Sequence, residues 1–282
     1  MIDINLTGLG NHSNTMRESL RELRTNIRFC GDNIRTILFT STFPNEGKST
    51  VVAELGYSIA ESGNSVLIID TDMRKSVLIG RYHVKREAGM IGGLSHFLSG
   101  QSSLESIMCS TQKENLDIIF AGRSVVNPTE LLENDHFKEL MNEAKSRYDY
   151  VLIDCAPLGA AIDAAVIARE CDGAVIVIGQ GEVTGRAVSG VRRQLEASGV
   201  RILGAVLNKV SMKKSGYYGR YGGYYGGYYG GYYGGYYGKY YGSYGEDEKG
   251  KGSHSKRRRK KKKRVENPVK STETKPDEAK EA

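Results

Sequence analysis

The chain has 282 residues, enough for one α/β domain and a tail. No apolar run approaches the roughly 18 residues of a membrane helix, and Met1 to Asn14 lacks the apolar centre of a signal peptide. The sequence therefore reads as a protein made and kept in the cytoplasm. The net charge of +7 divides unevenly: Ser211 to Ala282 holds 18 Lys/Arg against 8 Asp/Glu, and the rest holds 22 against 25. A mildly acidic body with a basic tail excludes a uniformly basic nucleic-acid-binding domain.

Met1 to Asn14 is expected to be flexible. Residues 15 to 28 predict an amphipathic helix, with Met16, Leu20, Leu23 and Ile27 on one face. Thr15 and Glu18 have the spacing of a capping box. Glu18, Arg21, Arg24 and Arg28 share another face, which on residue types alone is a solvated charge stripe. From Ile34, apolar runs alternate with helical stretches. The runs are Ile37 to Phe39, Val66 to Ile69, Leu116 to Phe120, Val151 to Ile153, Ala174 to Ile178 and Ile202 to Leu207. Successive apolar, β-branched residues suit strands covered on both faces. Helices are expected over Gly47 to Glu61, Pro128 to Ser146, Ala160 to Arg169 and Thr184 to Ser198. The alternation predicts an α/β, doubly wound, mostly parallel sheet over residues 15–210.

Thr42-Phe43-Pro44-Asn45-Glu46-Gly47-Lys48-Ser49-Thr50 lies between a predicted strand and a predicted helix, the setting of a P-loop. Backbone N–H groups at the helix start would cradle phosphates. Glu46, Gly47, Lys48, Ser49 and Thr50 are the expected nucleotide-binding residues, with Lys48 at the β- and γ-phosphates and Ser49 on Mg²⁺. Thr42 replaces the usual first glycine. Two more strands end in acid: Asp70-Thr71-Asp72-Met73-Arg74, and Asp154-Cys155-Ala156-Pro157. A lone Asp after an apolar run commonly caps a helix. Three of them downstream of a P-loop argue for one site at the carboxyl ends of the strands. Asp154 is placed to hold Mg²⁺ directly or through water. Mg²⁺ needs few protein ligands, which frees one of Asp70 and Asp72 to accept a proton. The cysteines Cys30, Cys109, Cys155 and Cys171 form no Cys-x-x-Cys pair, and they read as isolated reduced thiols rather than a disulfide framework or zinc site.

After Val210 the composition changes. Gly216 to Gly245 repeats Tyr-Tyr-Gly-Gly and holds 14 of the 18 tyrosines. An acidic patch and nine consecutive basic residues, Lys256 to Arg264, follow. Dense glycine without aliphatic residues reads as a disordered tail.

These motifs resemble the bacterial tyrosine kinases of capsule and exopolysaccharide systems, over about Thr15 to Val210 and in the tyrosine cluster. Pro44 to Thr50 resembles that family's Walker A element. Asp70, Asp72 and Arg74 resemble its Asp-x-Asp-x-Arg element, and Asp154 stands in its Walker B, with Ala156 in place of a proline. Gly93 to Ser95 and Asn127 to Leu132 are similar as well. The resemblance implies catalytic roles for Lys48, Asp70, Asp72 and Asp154. Asp70 would be the base, Ser49, Asp72 and Asp154 the Mg²⁺ side, and Asn208 the reader of adenine. On residue types alone Asn208 is equally a loop residue. The resemblance also implies ATP and Mg²⁺ as cofactors, a ring-like oligomer through Glu18, Arg21 and Arg24, and a membrane-embedded chain-length regulator as activator. It implies phosphoacceptors at Tyr217, Tyr218, Tyr221, Tyr224, Tyr225, Tyr228, Tyr229, Tyr232, Tyr233, Tyr236, Tyr237, Tyr240, Tyr241 and Tyr244. Lys256 to Arg264 is expected to touch anionic lipid or nucleic acid weakly.

Two rivals stand. A MinD/ParA-like ATPase shares the P-loop and sheet, but carries a second lysine early in the loop, and no lysine lies between Thr36 and Gly47. A scaffold whose Tyr/Gly tail self-associates would not need ATP. Eukaryotic-type kinase motifs are missing from the sequence.

Overall fold

The computed structural model describes residues 1–86 and 92–211. Met1–Lys213 forms one compact unit. In chain order the elements are β1 (Ile2–Asn5), α1 (Asn14–Phe29), β2 (Thr36–Ser41), α2 (Lys48–Glu61), β3 (Val66–Asp70), α3 (Leu78–Arg81), β4 (Lys85–Arg86), α4 (Leu94–Leu98) and α5 (Leu104–Ile107). They continue as β5 (Met108–Ser110), β6 (Leu116–Ile119), α6 (Pro128–Leu132), α7 (Asp135–Arg147), β7 (Tyr150–Asp154), α8 (Asp163–Ile167), β8 (Gly173–Gly179), α9 (Gly185–Ala197) and β9 (Ile202–Asn208).

One sheet runs in the order β4-β1-β5-β6-β3-β7-β2-β8-β9. From β6 to β9 every pairing is parallel, while β5–β6 and β1–β4 are antiparallel. The doubly wound expectation holds because the central strands bury both faces. Ile37, Phe39, Val66, Ile68 and Leu152 belong to one apolar layer, together with Leu20, Leu55 and Ile59 of α1 and α2. Their neighbours Leu38, Leu67, Ile69, Val151 and Ile153 belong to the other layer, with Phe137, Leu140 and Leu195 of α7 and α9. The alternation follows the two-residue period of a strand. Truncating one such side chain, such as the fully buried Phe39, costs about 3–5 kcal/mol.

Four expectations are corrected. The N-terminus expected to be flexible forms β1. Ile4, Leu6 and Leu9 are buried there, Leu6 exchanges backbone hydrogen bonds with the Gln112 amide at 2.9 and 2.8 Å, and Thr7 N–H donates to the Tyr82 carbonyl at 2.7 Å. The cap of α1 is Ser13, whose hydroxyl accepts from Met16 N–H at 3.3 Å, and not Thr15; Glu18 turns to Arg21 instead. The helix expected over Pro128 to Ser146 is two helices. Asn134 breaks it by capping α7, accepting from Phe137 N–H at 3.0 Å, while its amide donates to the Leu98 carbonyl at 2.8 Å. The stretch expected as helix from Ala160 begins as a turn on the Pro157 carbonyl, and α8 starts only at Asp163.

The tyrosine cluster, Tyr217 to Tyr244, and the basic run, Lys256 to Arg264, lie outside the described residues. Among the described residues no helix is long and apolar enough to cross a membrane.

Candidate active site

The loop from Thr42 to Gly47 leaves β2 and enters α2. Asn45 (φ 71°) and Gly47 (φ 89°) are left-handed and turn the backbone towards the helix start. Only glycine fits at 47: a Cβ there would lie 2.1 Å from the Asn208 amide nitrogen. Asn208, at the end of β9, donates from that nitrogen to the Glu46 carbonyl at 2.9 Å. Its amide therefore braces the loop. The buried Glu46 carboxylate accepts from Phe43 N–H at 2.6 Å and Gly179 N–H at 2.9 Å. That side chain, expected at the nucleotide, is committed to the loop's own backbone and to the end of β8. Thr42, in the place of a glycine, is buried, and its carbonyl packs where a Cβ on Gly159 would sit.

The two acidic strand ends meet beside the loop that follows β2. Asp70 and Asp154 are register partners across β3 and β7, and both are almost wholly buried. The Lys48 ammonium, at the first position of α2, hydrogen-bonds to Asp154 and lies 3.4 Å from the Ser49 hydroxyl. Burial alone would lower the Lys48 ammonium's pKa, but the Asp154, Asp72 and Asp70 carboxylates outweigh it, so the net direction is up. Asp70 accepts from the Ser76 hydroxyl at 2.5 Å and from Asp72 N–H at 3.1 Å. Burial first, and then the Asp154 charge, push the Asp70 carboxyl up to about 7 against the pull of Ser76 and Lys48. Asp72 lines the cleft, its carboxylate held by Lys75 N–H at 3.0 Å. Cys155 is fully buried, and burial pushes its thiol up to about 12, so it is a core residue rather than a nucleophile.

Sequence reasoning missed Ser76, Arg81 and Asp163. Arg81 hydrogen-bonds to the Thr50 hydroxyl and lines the same cleft. Asp163 is buried beneath Arg74. Neither follows a recognisable strand end or motif spacing. On α1, Glu18 and Arg21 are exposed and pair with each other at 2.8 Å. Arg24 departs from the expected outer stripe: it is half-buried and its guanidinium donates to the Ser58 carbonyl of α2.

The residues present fit a magnesium nucleotide. A glycine-turned loop meets the start of a 14-residue helix, and a lysine, a hydroxyl and acidic groups share one cleft. Among the described residues no three His, Cys, Asp or Glu side chains form a metal cage of their own. Mg²⁺ commonly completes its shell with water and phosphate oxygens.

The chain is similar to known proteins. The AAA domain family matches residues 35–199. Tyrosine-protein kinase CpsD of Streptococcus agalactiae is 39% identical over 200 residues, covering 71% of this chain and 85% of that one. The kinase domain of the Escherichia coli tyrosine kinase ETK superposes with a TM-score of 0.68 at 32% identity, covering 75% and 82% of the two chains. The septum site-determining protein MinD from Pyrococcus horikoshii, complexed with Mg-ADP, is similar at a TM-score of 0.53 and 26% identity, over 64% and 72%. The P-loop, the acidic strand ends and the sheet order thus belong to a nucleotide-using fold, and the stronger likeness is to the kinases rather than to the septum ATPase. This chain is a member of the bacterial tyrosine kinase family, a protein-tyrosine kinase that uses ATP and Mg²⁺.

Proposed function

We propose that this kinase phosphorylates the tyrosines of its own C-terminal cluster, Tyr217 to Tyr244, and so regulates capsular or exopolysaccharide synthesis and export. The observation that carries the reading is Asp70: a buried carboxylate at a strand end in the acidic cluster around Lys48, with its carboxyl held near 7. A base with that value takes a proton at neutral pH without being fully protonated itself. Asp70 accepts the tyrosine's hydroxyl proton as the tyrosine oxygen bonds to the γ-phosphorus and the bond from phosphorus to the ADP oxygen breaks. Lys48 leaves Asp154 to offset charge on the transferring group. Ser49, Asp72 and Asp154 would hold Mg²⁺, which would supply positive charge to offset that of the phosphates. Glu46, Gly47, Thr50 and Asn208 shape the nucleotide's seat.

The acceptors reach the site from a neighbouring copy. By composition alone, a glycine-rich segment of about 28 residues would span roughly 30 Å, enough to pass between adjacent subunits. The exposed Glu18–Arg21 pair supports α1 as the subunit contact of a ring, with Arg24 stiffening the helix from behind. Each phosphate adds nearly two negative charges, so a heavily phosphorylated tail repels its neighbours and loosens the ring. A membrane-embedded chain-length regulator recruits the kinase to the inner face of the plasma membrane and activates it. Lys256 to Arg264 adds a weak attraction to anionic lipid.

The test is incubation of the full chain with ATP and Mg²⁺, alone and with the regulator's cytoplasmic segment, followed by mass-spectrometric mapping. The expected result is phosphotyrosine within Tyr217 to Tyr244, absent in Lys48→Ala. Phosphate confined to other residues, with the segment bound, would refute self-phosphorylation of the cluster.

A further inference from the structure

Arg74 stands in the acidic motif after β3 and lines the nucleotide cleft, where a free guanidinium would be expected to meet phosphate. Its hydrogen bonds lead elsewhere. Nε donates to Asp163 Oδ2 at 2.9 Å and Nη2 to Asp163 Oδ1 at 3.3 Å. Nη1 donates to the Val126 carbonyl at 3.3 Å. Asp163 is 1% exposed, and its Oδ1 also accepts from the Thr129 hydroxyl at 2.6 Å. Thr129 belongs to the Asn127 to Leu132 segment, which the reaction otherwise leaves without a task.

Three segments meet in this network: the loop after β3, the loop between β6 and α6 with the first turn of α6, and the start of α8. Met73 strengthens the junction, since its carbonyl accepts from Val125 N–H at 3.1 Å. Asp72 sits on the near side of the same turn, its carboxylate closed by Lys75 N–H. The turn is thus pinned from outside by Arg74 while it presents Asp72 to the cleft. A two-pronged Arg–carboxylate contact fixes orientation as well as distance, and burial of the acceptor keeps water from competing for it.

We propose that Asp163 is a positioning residue for the kinase reaction: through Arg74, and seconded by Thr129, it fixes the turn that aims Asp72 at the metal. Arg74 is then a strut and makes no contact with phosphate. The proposal rests on Asp72 being a metal-side carboxylate. Outer partners of metal ligands commonly change metal affinity by about 10- to 100-fold when replaced.

The test is calorimetric affinity for ADP, measured on the full-length chain in Mg²⁺ and in EDTA. The ratio of the two is the gain that the metal confers. Asp72→Asn should abolish that gain. Asp163→Asn should cut it by about tenfold while affinity in EDTA stays within about twofold, and should lower kcat with the KM for the tyrosine acceptor unchanged. Thr129→Val leaves the ion pair in place and serves where Asp163→Asn folds poorly; it should cut the gain by about threefold, and Thr129→Ser should restore it. Equal losses in Mg²⁺ and EDTA, or an unchanged gain in both the Asp163 and Thr129 variants, would overturn the proposal while leaving Asp72 as a metal ligand. A full gain retained by Asp72→Asn would instead overturn the metal-side reading of Asp72, and the strut with it.

Discussion

Two regions of this molecule bury carboxylates, and they do it differently. On the flank of α2, Glu54 is 4% exposed. One oxygen accepts from the Tyr82 hydroxyl at 3.0 Å, and the other accepts from Gly10 N–H at 3.0 Å. His12 Nε2 lies 2.7 Å from that second oxygen, close enough for an ion pair though not aligned for a hydrogen bond. Glu54 ties the N-terminal segment to the body, and each oxygen has its partner. At the strand ends, Asp70 and Asp154 face each other in register with the Lys48 ammonium bonded to Asp154. Asp70 carries the difference as a raised affinity for protons. A buried carboxylate with both oxygens hydrogen-bonded holds structure together, whereas buried negative charge in excess is held ready for a cation or a proton.

Four experiments break or sharpen that contrast. The largest effect is on rate: Asp70→Asn should reduce phosphotyrosine formation by roughly 10²- to 10⁴-fold in a quenched-flow assay, because the proton acceptor is gone. Next is stability: Glu54→Ala strands the Tyr82 hydroxyl and Gly10 N–H, and should cost about 2–4 kcal/mol in urea unfolding. The third effect has the opposite sign. Asp70's carboxyl is raised from 3.8 to about 7, so the folded chain holds this proton more tightly than the unfolded chain. The stability it contributes is present below pH 4 and is lost as the pH climbs through 7. Asp70→Asn should therefore stabilise the nucleotide-free protein at pH 8 by on the order of 2 kcal/mol and have little effect near pH 4, as read by thermal melts across pH. The smallest effect is at the exposed pair: Arg21→Ala should move the melting midpoint by no more than about 2 °C, yet lower the oligomer mass seen by light scattering.

The same contrast explains what the sequence made legible. β2, β3, β7 and β8 were readable because burial on both faces forces runs such as Val66 to Ile69 to be wholly apolar. Asp70 and Asp154 were readable because each ends such a run, and Lys48 because it stands in the Gly-Lys-Ser-Thr sequence that opens α2. β1, β4 and β5 were not. They lie towards one edge of the sheet and are two to four residues long, too short for any period to show. Asp163 was hidden for another reason: its partners Arg74 and Thr129 are 89 and 34 residues away, and only folding brings them together. Glu46 and Asn208 were picked out by motif and resemblance, but no motif says which way an amide or carboxylate turns. Here both brace the loop.

The measurement closest to the central claim is the pH dependence of single-turnover phosphotyrosine formation at saturating ATP and Mg²⁺, with the activator segment present. If Asp70 is the base, the rate should rise about tenfold per pH unit up to about 7 and then level off, and Asp70→Asn should lose that limb along with the rate. A wild-type rate that is flat from about pH 5.5 to 8.5, or an Asp70→Asn enzyme that keeps both rate and profile, would contradict the assignment of Asp70 as the base.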